Sequence, residues 1–124
     1  MASPRTDVAA VLKAALTVPK RQFYNHPADV VKLPAVIVQN GDPMIELDTM
    51  GGNRFTWNLE VIAATQRGNP SKAVTWCEDI ARDIAAALNG TGYWFVEASA
   101  PEVSTFNALD ATMTTITVQA RMAT

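Results

Sequence analysis

The chain has 124 residues and a mass of 13.4 kDa, which reads as one domain over 1–124 with a core large enough to fold on. Apolar residues make up 48% and charged residues 18%, which excludes a disordered or highly charged chain. Ten Lys and Arg against twelve Asp and Glu give a net charge of −2, weighing against a dedicated nucleic-acid binder. One cysteine excludes an internal disulfide and a zinc module. No apolar run is long enough for a membrane span, and no basic start with an apolar run marks a signal peptide. The expectation is a soluble, intracellular protein.

Ser3-Pro4 reads as an N-cap followed by proline at the first helical position. Val8, Val11, Leu12, Ala15 and Leu16 share one helical stripe, and Pro19 stops the helix, which is placed at about 5–17. Residues 18–33 show no period and read as a long surface loop pinned by Phe23 and Tyr24. Pro34 to Gln39 is β-branched and reads as a strand, Asn40-Gly41-Asp42-Pro43 as a turn, and Met44 to Leu47 as a second strand. Residues 48–53, with two glycines, read as another turn.

From Arg54 to Thr65, Phe55, Trp57, Leu59, Val61 and Ala63 alternate with polar residues, so this is a half-buried strand. Both faces become apolar from Val61 to Ala64, which predicts cover on two sides. Such a strand spans about 40 Å at ~3.3 Å per residue, more than the roughly 35 Å width of a globule this size. Its Arg54 end is therefore expected to project as a hairpin arm with its tip at 48–54.

Asn69-Pro70 opens a second helix over 70–88, whose stripe is Ala73, Trp76, Cys77, Ile80, Ile84 and Leu88. Glu78 and Arg82 have the spacing of a surface ion pair, and Asn89-Gly90 reads as a left-handed cap. Tyr93 to Ala98 reads as a strand apolar on both sides, 99–110 as a loop, and Thr112 to Met122 as the last strand. The predicted class is α+β: a mainly antiparallel sheet in the order α-β-β-β-α-β-β, two helices on one face, and a projecting β-hairpin.

No residues assemble into visible catalytic chemistry. Cys77 sits mid-helix on the apolar stripe, where a thiol is structural rather than reactive. His26 stands in a loop without a second ligand or a partner at catalytic spacing. Asp79 and Asp83 share a helix face, but Arg82 beside them fits a solvated surface better than a cation site. Gly51-Gly52 leads into a strand, unlike a phosphate loop. Asn89-Gly90-Thr91 matches a glycosylation acceptor but reads as a helix cap, and Lys20-Arg21 is too short for a nucleic-acid patch. The expectation is a protein that is not an enzyme and uses no cofactor and no metal.

The positive signal is surplus apolar strand. Ile62 and Ala64 lie opposite the core face, Trp57 lies on the arm, and Tyr93-Trp94-Phe95-Val96 is apolar on both sides. A helix over each face would cover this surface, and so would further copies of the chain; the arm favours assembly.

Leu33-Pro-Ala-Val-Ile-Val-Gln-Asn-Gly-Asp-Pro-Met-Ile-Glu46, followed by a long strand, an amphipathic helix and closing strands, resembles the tail terminator, or tail-completion, proteins of long-tailed, siphovirus-type bacteriophages, particularly those of actinobacteria. The Asp7-Val-Ala-Ala-Val-Leu helix is also similar. The resemblance implies a virion structural protein at the head–tail junction, present in the host cytoplasm during assembly. It implies a homo-oligomeric ring, hexameric in the family, that caps the tail-tube protein and joins it to the head connector or stopper, with DNA passing through the lumen unbound. Asp48, Thr49, Met50, Gly51, Gly52, Asn53, Arg54 and Trp57 are the candidate interface, and Thr115, Thr117, Gln119 and Arg121 the candidate lumen-facing strand. Two other readings stand beside it. One is a different phage neck or connector component. The other is a small enzyme or ligand-binding domain with the 18–33 loop as lid over a pocket holding His26 and Tyr24.

Overall fold

A computed structural model of the chain describes residues 4–15, 22–24, 34–47, 54–66, 68–106 and 109–123. Helix α1 runs over Pro4–Ala15, with Pro4 in the first turn, where a missing N–H costs nothing. Val8 and Leu12, four apart, are its buried stripe, while Ala15, expected on that stripe, is exposed. Asp7 in the first turn and Lys13 in the last both suit the helix dipole.

The expected 18–33 loop contains a short strand, β1 (Gln22–Tyr24), parallel to the start of β2 (Ala35–Leu47). The rest of that segment, His26 included, lies outside the described residues. The two short strands expected at 34–39 and 44–47 are one strand. Asn40-Gly41-Asp42-Pro43 does not reverse the chain, because residues on both sides of it pair with the same partner, β3 (Arg54–Gln66). Asn40 pairs with Leu59 and Ile45 with Trp57, so residues 41–44 bulge out opposite Asn58 alone. A Cβ on Gly41 would stand 3.1 Å from the Asn58 Cβ, which explains glycine at this closest approach.

Helix α2 (Pro70–Leu88) has the predicted limits. The Asn69 side chain accepts from the Lys72 N–H at 3.2 Å, the expected N-cap. At the other end Gly90 takes φ 79°, and the Thr91 hydroxyl donates to the Leu88 carbonyl at 2.7 Å. Arg82 pairs with Asp79 at 3.0 Å rather than with the predicted Glu78. Both groups are exposed, so the pair adds little.

The chain then forms β4 (Tyr93–Ala98), β5 (Glu102–Phe106) and β6 (Leu109–Ala123). The expected 99–110 loop is thus interrupted by a strand that pairs with the start of β6. β4 and β5 form a single broken border along β6. At the break the Ser99 N–H donates to the Thr115 carbonyl (2.9 Å), and the Ser99 carbonyl accepts from the Thr114 hydroxyl (2.6 Å).

The sheet order is β1-β2-β3-β6-β4, with β5 also on β6. Every pairing is antiparallel except β1 with β2, so the fold is α+β with a mainly antiparallel sheet and two helices. Register places Val36, Val38, Leu59, Val61, Ile116 and Val118 on one face, where they form a single core with Val8, Leu12, Ile80, Ile84 and Leu88. Both helices contribute to this core because each offers one apolar stripe too narrow to be buried alone.

On the other face Ile62 and Ala64 are buried, together with Ala35 and Ile37, which agrees with the cover on two sides predicted for Val61 to Ala64. The apolar surplus of one copy therefore does not lie there. On β4, read as apolar on both sides, Tyr93 and Phe95 are half-buried against the core, whereas Trp94 and Val96 are exposed.

Candidate functional site

Even-numbered β3 residues and odd-numbered β6 residues share the face turned away from the helices. There Thr115, Thr117, Gln119 and Arg121 pair with Ile62, Glu60, Asn58 and Thr56. The four candidate lumen residues therefore lie in one row of β6. Thr115, Thr117 and Gln119 are half-buried and Arg121 is exposed.

Asn58 organises this face. It is 8% exposed, and its amide donates to the Pro43 carbonyl at 2.9 Å and to the Glu46 carboxylate at 2.7 Å. Its carbonyl oxygen accepts from the Gln119 amide at 3.1 Å. One side chain thus ties β2, β3 and β6 together and fixes the 41–44 bulge. In the next row the Gln39 amide donates to Glu60 at 3.0 Å. A polar cavity of about 240 Å³ opens here, lined by Asp42, Glu46, Asn58, Glu60, Thr117 and Gln119 among others.

At the β4 border the Arg121 guanidinium lies 4.4 Å from the centre of the Trp94 ring. A cation held over an aromatic face gains about 0.5–1 kcal/mol at an exposed site. A second cavity, of about 690 Å³, lies between the end of α2 and β4, with Ala85, Ala86, Leu88, Tyr93, Trp94 and Phe95 among its lining residues. Its wall is anchored by the Tyr93 hydroxyl, which donates to the Asp7 carboxylate at 2.9 Å. Burial first, then that bond and the Asp7 charge, push the Tyr93 hydroxyl up to about 12.

Of the candidate interface residues, Asp48, Thr49, Met50, Gly51, Gly52 and Asn53 lie outside the described residues. Arg54 is exposed at the start of β3. Trp57 is half-buried against the core, and its indole N–H donates to the Asn40 side chain at 2.9 Å. Of the residues weighed for chemistry, Cys77 is buried, and its thiol donates to the Thr112 carbonyl at 3.7 Å. Desolvation and then the nearby Glu78 charge push that thiol up to about 11, far from nucleophilic character. Asp79 and Asp83 are exposed, with Asp79 held by Arg82. Among the described residues no three His, Cys, Asp or Glu side chains are grouped to hold a metal ion, and no helix is long and apolar enough to cross a membrane.

Sequence reasoning missed Asn58, Met44 and Ile45. Asn58 had a legible signal, since it falls among Thr56 and Glu60 on the polar side of a strict alternation. Met44 and Ile45 did not, because a short apolar pair beside Gly-Asp-Pro reads equally as a buried strand. Compared with protein-family models and with curated proteins, the sequence matches none.

Proposed function

We propose that this chain is a virion structural protein of a long-tailed bacteriophage. In this reading it assembles with itself into a ring, caps the tail tube and forms the joint to the head connector, without catalysis or cofactor. The observation that carries the reading is where apolar side chains remain exposed. Among the described residues the large exposed apolar side chains are Met44, Ile45, Val74, Trp94, Val96 and Val103, and all but Val74 lie on β2, β4 or β5, the strands toward the two sides of one sheet. Apolar groups on both sides of a sheet suit head-to-tail contact between copies, which closes into a ring when successive rotations complete a circle.

The face bearing Thr115, Thr117, Gln119 and Arg121 would then line the lumen. The Gln119 amide on it already donates to Asn58 within the chain, and Glu46, Glu60 and Glu97 are carboxylates on the same face. Among the described residues this face sets those carboxylates beside Arg54 and Arg121, a balance of charge that suits DNA sliding past. The tip at 48–54 would contact the tube or a neighbouring copy. A ring of six follows the resemblance.

Sedimentation of the purified chain, alone and mixed with the tail-tube protein of the same particle, tests the reading. Ring-sized species are expected in at least one mixture; monomers in both would overturn it. Reconstruction of an intact particle would place the chain at the tube end or at another level of the neck.

A further inference from the structure

The register of the sheet places the two borders at one height. The row through Trp57 contains Ile45 on β2, Ala120 on β6 and Tyr93 on β4. The row through Val61 contains Val38, Ile116 and Ala98. β4 therefore occupies the same rows on its border as Val38–Ile45 does on the other. β1 pairs only with Ala35, Val36 and Ile37 of β2, below those rows; among the described residues, the outer border of β2 has no partner strand from Val38 onward.

Strand direction matches too. β2 and β4 run oppositely, being separated by three antiparallel steps. Copies that all point the same way around an axis therefore set β4 beside the next copy's β2 in antiparallel sense, with no rise from one to the next. That is the condition for a closed ring rather than a helical filament. A continuous backbone ladder is blocked, because β2 bulges at 41–44 with Pro43 lacking an N–H, and β4 bulges at Val96. The contact must be made by side chains.

We propose that Met44 and Ile45 of one copy seat in the cavity between α2 and β4 of the next. Both are exposed, at 41% and 43%. Ile45 shares its row with Tyr93, one of the residues lining that cavity. The cavity's rim carries Trp94 at 46% exposure, with Val96 at 48% beside it. Charges agree across the same join. Arg121 leans over Trp94 toward the β4 border, and Glu46 lies in the row of Thr56 and Arg121 on the same face. A neighbour's Glu46 thus comes level with this guanidinium. The occupant is a second copy of this chain. The proposal rests on the ring reading but not on the tube or head partners.

The test uses the full chain with Met44→Cys and Val96→Cys, both at exposed bulge positions. Within one chain β2 and β4 are three inter-strand steps apart, ~14 Å, beyond the ~7 Å reach of a disulfide. Oxidation of the double variant is expected to give a covalent ladder ending in a closed ring. Mixing the two single variants is expected to give dimers only, and neither single variant to cross-link alone. Ile45→Asp is expected to weaken self-association at least tenfold in sedimentation velocity. A wild-type chain that oligomerises while the double variant stays uncross-linked would overturn this joint and leave the ring standing. Cross-linking by either single variant alone would also overturn it, since it requires a two-fold contact. A wild-type chain monomeric throughout would overturn both.

Discussion

Replacing Asn58 by leucine tests whether one amide holds three strands and the bulge in place. The substitution keeps side-chain volume nearly constant but removes two donated bonds, at 2.9 and 2.7 Å, and one accepted bond at 3.1 Å. A net hydrogen bond contributes about 0.5–1.5 kcal/mol, more when one partner is charged. Glu46 and Pro43 are exposed and Gln119 half-buried, so water recovers part of what each loses. The expected loss is about 2–3 kcal/mol, and a midpoint fall of roughly 10 °C for a chain of this size. Asn58→Asp makes the same test with charge, because the new carboxyl meets the Pro43 carbonyl and the Glu46 carboxylate, both acceptors. It is expected to be worse than leucine at pH 7 and to recover as acid protonates it. Urea unfolding followed by circular dichroism, at pH 7 and pH 4, measures both. A leucine variant within about 0.5 kcal/mol of wild type, or an aspartate variant insensitive to pH, would refute the role given to this network.

The Tyr93–Asp7 bond predicts a lower alkaline limit of stability. The Tyr93 hydroxyl is held at about 12 in the folded chain, above its ordinary 10, so its contribution is complete below pH 10 and is lost as pH rises toward 12. Tyr93→Phe is expected to cost about 1 kcal/mol at pH 7 and to flatten the melting curve between pH 10 and 12; parallel curves would count against the bond. Cys77, buried with its thiol near 11, is expected to react with a disulfide reagent at pH 8 at least about 100-fold faster once urea unfolds the chain. Equal rates in native and unfolded protein would show the thiol exposed.

Some elements were legible because their signals are contained in a few neighbouring residues. Pro4 and Asn69-Pro70 each mark a helix start by backbone chemistry alone, and the stripe from Ala73 to Leu88 fixes which side of the second helix is buried. The alternation from Phe55 to Ala63 likewise gave the face on which Thr115, Thr117, Gln119 and Arg121 would pair once β6 was placed. β5 was hidden because Pro101 and a short, mixed segment look like loop until Leu109–Met113 is set against them. The sequence left open whether Trp94 and Val96 are covered by a helix or bare, because a strand buried on both faces and an apolar border strand share one pattern; both are exposed.

The sequence alone determined two helices, the N-cap of the second, one long half-buried strand, and the polar character of its second face, since propensity, capping and period act over one or two turns of chain. Only tertiary structure decided that Gly41-Asp42-Pro43 is a bulge rather than a reversal. That choice depends on Asn58, fifteen residues on from Pro43, arriving opposite it. It also decided that Met44 and Ile45 face out at the same height as the cavity beside β4. Height in a sheet is a property of register, and register exists only once the strands have met.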